Sequence, residues 1–314
     1  MSRPAGSGAA PGIRLALEAM ATRFELVILD DDDPGRLRAI GEEALSEIAR
    51  AEALWSRFRP TSEIAWINRA AGGAPVRVSS ATFRLLAGCA ELARDTDHAF
   101  DPTVGPLLRT WGIGADAPQH RPADSQVERA LGLVGIDKVE LDEAASTVRL
   151  PRRGMELDLG AVGKGEALDR AVSVLREQGV ATALLHGGTS SVHVLGEAPR
   201  PWRIGWAPPG AEATSVPLDD SRPALSVSAP NGRTVSANHD SWGHVVDPRI
   251  GRPVRAGAAL VAGTSSRVCD ALSTALLVLG EPGLRLAADR FPGLDCRLAR
   301  SSFGSGGGIV QTHC

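Results

Sequence analysis

One stretch constrains this chain more than any other. From Glu156 to Asp169 it reads Glu-Leu-Asp-Leu-Gly-Ala-Val-Gly-Lys-Gly-Glu-Ala-Leu-Asp. Its first residues alternate as a strand does, and three glycines follow. A helix then opens, with Leu168, Val172 and Leu175 among its apolar positions. Glycine permits close backbone approach and positive φ. A helix N-terminus presents unpaired N–H groups and a partial positive charge, which suits an anion. Lys164 adds a full positive charge, and Asp158 stands six residues earlier, at the strand end. The stretch is a candidate phosphate-binding turn. It is not a Walker loop, which needs four residues between its first glycine and Gly-Lys-Ser/Thr. An ordinary strand-to-helix turn with a solvated lysine is the local alternative.

A second element carries chemistry. Ser266 to Leu279 reads as a helix, capped by Ser266 and stopped by Gly280. Asp270 and Thr274 are four residues apart and share one face of it. Leu272, Ala275, Leu276 and Leu279 supply a largely apolar remainder. Paired oxygen ligands of this kind suit Mg²⁺, above all beside phosphates that complete its octahedron. A surface Asp and a Thr bonded to its own backbone are the alternative. His244, ahead of Val245-Val246-Asp247-Pro248, is a candidate base or anion contact at a strand end. Asp247 before its proline also suits turn shaping, as does Asp101 before Pro102. His186 beside Gly187-Gly188 fits a turn role. Of Trp55, Phe58 and Trp66, one could stack on a flat ring.

Composition closes off several classes. The chain has 314 residues, 43% hydrophobic and 23% charged, as a globular protein with a sizeable core does. A net charge of −3 gives no basic field for nucleic acid. The cysteines at 89, 269, 296 and 314 form no Cys-x-x-Cys pair and no zinc spacing, which fits a reducing compartment. Met1 to Gly12 is small and polar, with no signal-peptide core, no lipid-attachment cysteine and an expectation of disorder. No apolar run reaches membrane-spanning length. These features predict a cytoplasmic protein without a transmembrane segment. Strands at 13–18 and 22–29 precede helices at 34–56, 62–70 and 80–94. Residues 99–107, with two prolines and a glycine, predict a shaped loop. A short helix at 125–133 and a hairpin at 139–150 follow. Beyond the glycine turn, strands are expected at 181–185, 192–195, 202–206, 225–228 and 234–237, with 207–222 as loop. A helix at 283–290 and a strand at 295–298 close the list. Strands and helices are mixed without regular βαβ alternation, which predicts an α+β fold with mixed sheets and flanking helices. One domain over 13–300 is expected, with 301–314 as a flexible tail.

These motifs, in this order, resemble the ApbE family, the FAD:protein FMN transferases. Met20-Ala21-Thr22 looks like the first motif. Ser56-Arg57-Phe58, Ser62-Glu63-Ile64 and Asn68 to Gly72 form the second. Phe100 to Leu107 with Trp111-Gly112 is the third, and Asp158 to Gly165 with Asp169 the fourth and most specific. His244 to Pro248 and Asp270 to Ala275 complete the set. The resemblance implies transfer of FMN from FAD to a threonine hydroxyl of an acceptor protein, with Mg²⁺ bound and AMP released. It implies Asp270, Thr274 and the backbone carbonyl of Ala161 as metal ligands. It implies FAD contacts at Met20, Phe58, Ala99, Phe100, Asp101, Asp158 and Lys164. Lys164 would also stabilise the transition state, with His244 as base and Asp247 as its orienter. Phe58 stands where the family often has Tyr, which keeps stacking and loses a hydroxyl. Ile250 stands where the family's turn has Thr, and Thr189 where Asp usually follows the paired glycines. The block from Ser226 to Asn238 matches poorly. These departures leave two further readings: an FAD pyrophosphatase giving FMN and AMP, and a non-catalytic flavin-binding protein.

Overall fold

The computed structural model describes residues 12–114, 121–196, 201–208, 211–230, 234–237, 240–254, 257–299 and 309–313. Strands β1 (Ile13–Ala19) and β2 (Thr22–Ile28) form a hairpin, Ala19 opposite Thr22. Its two-residue turn holds Met20 and Ala21 at φ 52° and 56°. That backbone matches strand twist but is one that non-glycine residues rarely adopt. Helix α1 (Pro34–Trp55) starts behind Asp33, whose carboxylate accepts the Arg36 N–H, with Pro34 in its first turn. It buries Leu37, Ile40, Ala44, Ile48, Ala51 and Trp55 at helical spacing. Ser62 and Ser79 cap α2 (Glu63–Arg69) and α3 (Ser80–Asp95) in the same way.

The segment 99–107 is not wholly loop, because α4 (Gly105–Thr110) begins inside it. Pro106 sits in the first turn, where a missing N–H costs nothing. After α5 (Asp124–Leu131), a small sheet is built from β3 (Val76–Arg77), β4 (Glu140–Asp142) and β5 (Thr147–Arg149), with β5 in the middle. Residues 156–159 are extended but form no strand. The Leu157 N–H and carbonyl are bonded by the Asn68 side-chain amide at 2.7 and 2.9 Å, and the Asp158 N–H by the Pro102 carbonyl. Helix α6 (Gly163–Glu177) follows directly.

The main sheet takes β6 (Ala183–Gly187) and β7 (Ser191–Leu195). Residues 207–222, expected as loop, contain a strand: β8 (Trp202–Trp206) pairs with β9 (Thr214–Leu218). Next come β10 (Ala224–Ser228), the hairpin β11 (Thr234–Ala237) with β12 (Asp240–Gly243), and the hairpin β13 (Val246–Asp247) with β14 (Arg252–Pro253). The remaining elements are β15 (Ala258–Gly263), α7 (Ser266–Leu279), α8 (Glu281–Arg290), β16 (Asp295–Ala299) and β17 (Ile309–His313). Residues 309–313 thus leave the expected flexible tail to pair with β16. Met1 to Pro11, 300–308 and Cys314 lie outside the described residues.

Eight strands form one antiparallel sheet in the order β1-β2-β6-β7-β10-β15-β16-β17. Helices α1, α6, α7 and α8 cover one face over a continuous core that includes Phe24, Ile48, Leu168, Leu272 and Leu276. The β8–β9 hairpin covers the other, closing Trp206, Val216 and Leu218 over Leu225 and Leu260. A third cluster under α4 and α5 gathers Leu107, Trp111, Val127, Trp242 and Val246. This is the α+β architecture expected. Among the described residues no helix is long and apolar enough to cross a membrane.

Candidate functional site

The site begins where α6 and α7 touch. A Cβ on Gly165 would stand 2.2 Å from the Ser266 carbonyl oxygen, so only glycine lets the two helix starts approach this closely. One turn later the Asp169 carboxylate reaches from α6 to the N-terminus of α7. It accepts from Ser265 Oγ at 2.8 Å, Ser266 N at 2.8 Å and Arg267 N at 3.0 Å. Two free N–H groups of α7 are thereby satisfied by a charge of the sign its dipole favours. His193, buried on β7, places Nδ1 2.7 Å from Ser266 Oγ and 3.5 Å from Asp169 Oδ1. Burial pushes the Asp169 carboxyl up, but the bonds from His193, the Arg267 N–H and Ser265 outweigh it. The group is held below its ordinary value.

This lock brings the two sequence-predicted segments together. The Gly165 N–H, which an uninterrupted helix would turn back onto the Ala161 carbonyl, donates to Asp270 Oδ2 at 3.0 Å. Lys164 Nζ lies 3.8 Å from Asp270 Oδ1 and 3.5 Å from the Gly160 carbonyl. Asp270 is 3% exposed. Thr274, on the same face of α7, sits with Oγ1 3.0 Å from Ser228 Oγ at the end of β10. A buried carboxylate, a hydroxyl and a backbone carbonyl outside the helical ladder are all hard oxygen donors. That chemistry suits Mg²⁺ and not a thiolate-seeking metal. Among the described residues no cluster of three His, Cys, Asp or Glu side chains competes for a metal.

Asp158 opens a second flank. Its Oδ1 accepts the Gly160 N–H at 2.8 Å and its Oδ2 pairs with Arg57 Nε at 2.6 Å. Arg57 also bonds Glu156 Oε1 at 3.0 Å and the Ile113 carbonyl at 3.1 Å, and Arg109 shares Glu156. The Arg57 guanidinium lies 4.5 Å over the Phe58 ring, which is 66% exposed. Phe58 therefore offers a supported aromatic face. Met20 keeps its N–H on Glu52 Oε1 at 2.8 Å. Ala99 and Phe100 are buried in the main core, so their side chains pack rather than face a ligand. Asp101 is turned inward, taking Thr103 N at 2.8 Å, Thr103 Oγ1 at 2.6 Å and Ile136 N at 2.9 Å. It builds the loop beside the site from within.

His244 is half-buried between β12 and β13. Asp247, expected to orient it, has both carboxylate oxygens on Arg249, through Nε at 3.0 Å and Nη2 at 2.8 Å. The turn beyond is docked by Trp111, whose indole N–H donates to the Gly251 carbonyl at 2.8 Å. Trp242 stacks edge-on against Trp111 at 5.4 Å. This segment is tied to α4, whose Gly105 abuts Glu156.

Arg57 and Ser228 were not singled out by sequence reasoning. Arg57 preceded a noted aromatic, and Ser228 ended a strand with hydroxyls two apart. An apolar hollow lined by Val192, Ile204, Trp206, Leu225, Val227 and Ala258 lies between sheet and β8–β9 hairpin, apart from Lys164 and Asp270.

Comparison with known proteins follows from this geometry. The model of the ApbE family matches residues 20–298. An FAD:protein FMN transferase of Klebsiella pneumoniae (strain 342) is 35% identical over 246 residues, 77% of this chain and 76% of the relative. The crystal structure of the ApbE protein from Thermotoga maritima superposes with a TM-score of 0.85 at 28% identity, covering 96% of this chain and 97% of that one. The apo flavinyl transferase ApbE of Pseudomonas stutzeri shares the fold, with a TM-score of 0.83 at 24% identity over 96% and 94% of the two chains.

Proposed function

The chain belongs to the ApbE family, and on that premise we propose that it is an enzyme that transfers FMN from FAD to an acceptor protein. The acceptor group is a threonine hydroxyl, AMP is released, and Mg²⁺ is bound. The observation that carries this reading is the junction of Gly165, Lys164 and Asp270: a helix-start N–H and an ammonium, each within 4 Å of one buried carboxylate. In the reaction the threonine oxygen bonds to the FMN phosphorus, the bond from that phosphorus to the bridging oxygen breaks, and AMP leaves with that oxygen.

Such chemistry is mostly positioning and charge neutralisation. Lys164 and the positive N-terminal end of α6 hold the diphosphate and stabilise charge on the departing AMP. Asp270, Thr274 and the Ala161 carbonyl would hold Mg²⁺, which when bound neutralises diphosphate charge. Phe58, braced by Arg57, presents a face on which a flavin or adenine ring stacks. His244 accepts the threonine proton. Asp247, held by Arg249, keeps the turn that carries His244 in shape.

Ile250 favours a second reading. It is 59% exposed at the turn where the family places a hydroxyl, and water would then replace threonine as nucleophile. Incubation with FAD and Mg²⁺, with and without a threonine-bearing acceptor, separates the two. Transfer gives an FMN-bearing acceptor by mass spectrometry and little AMP without acceptor. Rapid AMP release without acceptor refutes it. Asp270→Ala is expected to abolish Mg²⁺-dependent transfer, and unchanged activity would remove the metal assignment.

A further inference from the structure

Beyond the residues already assigned, three hydroxyls between β10 and α7 form a hydrogen-bonded chain that ends on a backbone carbonyl. Ser273 Oγ lies 2.9 Å from the backbone carbonyl of Asp270. A carbonyl only accepts, so a hydroxyl donates to it, and Ser273 is the nearer of the two within reach. With Ser273 donating to that carbonyl, Ser228 Oγ, 2.8 Å from Ser273 Oγ, donates to Ser273. With its own proton used, Ser228 accepts from Thr274 Oγ1 at 3.0 Å. A longer contact of 3.4 Å from Thr274 Oγ1 to the same Asp270 carbonyl draws that proton inward as well. With the Ser273 proton on the carbonyl, Thr274 has its proton inside and its lone pairs outward.

We propose that Ser228, relayed by Ser273, is a positioning residue that orients the Thr274 hydroxyl so that its lone pairs face a divalent cation held by Asp270. The proposal rests on the reading of Thr274 and Asp270 as cation ligands. Hydrogen bonds behind a metal ligand fix its orientation, and their loss commonly weakens metal affinity about 10–100-fold. Ser228 reaches Thr274 only because β10 runs antiparallel to β15 under α7, with Ala224, Ser226 and Ser228 on the helix-facing side.

The test is a titration of the full chain with Mn²⁺, read by electron paramagnetic resonance or calorimetry without FAD. Melting in EDTA checks that each variant folds. Ser228→Ala should weaken Mn²⁺ binding about tenfold, and Ser273→Ala should weaken it in the same direction. Ser228→Thr, which keeps a hydroxyl, should bind like the unaltered chain. In a Thr274→Ala background, Ser228→Ala should add no further loss, since both act through one ligand. If Thr274→Ala binds Mn²⁺ unchanged, the cation reading itself fails. If Thr274→Ala is weakened while Ser228→Ala and Ser273→Ala are not, this inference alone is overturned. It is also overturned if Ser228→Thr loses as much affinity as Ser228→Ala, because packing would then be the cause. Should Ser228→Ala fail to fold, Ser273→Ala and Ser228→Thr decide the question.

Discussion

Replacing Gly165 by alanine should loosen the junction on which the site depends. The added Cβ would lie 2.2 Å from the Ser266 carbonyl oxygen, 2.6 Å from its carbon and 2.8 Å from the Arg267 nitrogen. All three atoms are backbone, so none can swing aside. Ordinary contact requires the helix starts to separate by roughly 1 Å. Overpacking of this kind costs about 1–3 kcal/mol. The same movement breaks the 3.0 Å bond from Gly165 N–H to the Asp270 carboxylate, and a hydrogen bond to a charged group contributes about 1.5–3 kcal/mol. Helix propensity opposes these losses, since alanine is favoured over glycine by about 1 kcal/mol. The balance is a destabilisation of about 1.5–5 kcal/mol. At an unfolding entropy of about 2.1 cal/mol/K per residue, the melting temperature of this chain should fall by about 2–8 °C. Gly163→Ala is the control: its nearest neighbour would be Leu159 Cβ at 3.9 Å, so only the propensity gain applies. Calorimetric melting in EDTA compares the two. If both alanines raise stability alike, the close approach of α6 to α7 is not as described.

The Asp169 lock predicts a stability defect with a defined pH dependence. Asp169→Asn should destabilise the chain by about 1–3 kcal/mol at neutral pH, the cost of weakening a buried helix cap. Because the carboxyl is held below its ordinary 3.8, its contribution is complete above that value. It disappears as pH falls through the lowered folded-state value, so urea titrations of wild type and variant should converge in acid. Burial pushes the Cys89 thiol up to about 12 against the opposing Arg267 cation, and burial raises Cys269 as well. Both should resist a thiol-specific disulfide reagent in the native state and react on unfolding. Rapid labelling of the folded chain would contradict that burial.

The sequence made the ingredients of the site readable and hid their assembly. The period of α1 and its Asp33-Pro34 start were plain, because cap chemistry and apolar spacing agree there. Lys164 and Asp270 were each visible as a charge in an apolar frame. Their meeting was implied only by the family resemblance, since in the fold it depends on Gly165 facing Ser266, a contact 101 positions apart along the chain. The central strand β15 escaped because all six of its residues are buried and show no alternation. Glu156 to Leu159 alternated as a strand should, but the Asn68 side chain and Pro102 took its backbone bonds. Pro217 concealed β9, which tolerates a proline because its hairpin has open edges. In α4, Pro106 read as a breaker and acts as a helix start.

Site and scaffold share atoms in this fold, and that sets how the chain can vary. In many enzymes a rigid frame carries loops that do the chemistry, and the two can change separately. Here the Asp270 carboxylate binds the Gly165 backbone through one oxygen and faces Lys164 with the other. The same residue therefore closes the helix junction and supplies the proposed ligand. Asp169 caps α7 at Ser266 and Arg267, on the same helix as Ser273 and Thr274 of the hydroxyl chain, so a change in the cap moves the ligand face as a unit. By contrast the turn bearing His244 rests on its own core of Trp111, Trp242 and Val246. Substitutions in that smaller core can shift the turn that bears His244, the proposed base, while leaving the Lys164–Asp270 junction intact. Ile250 lies on this side of the molecule, where a departure from the family costs the main fold least.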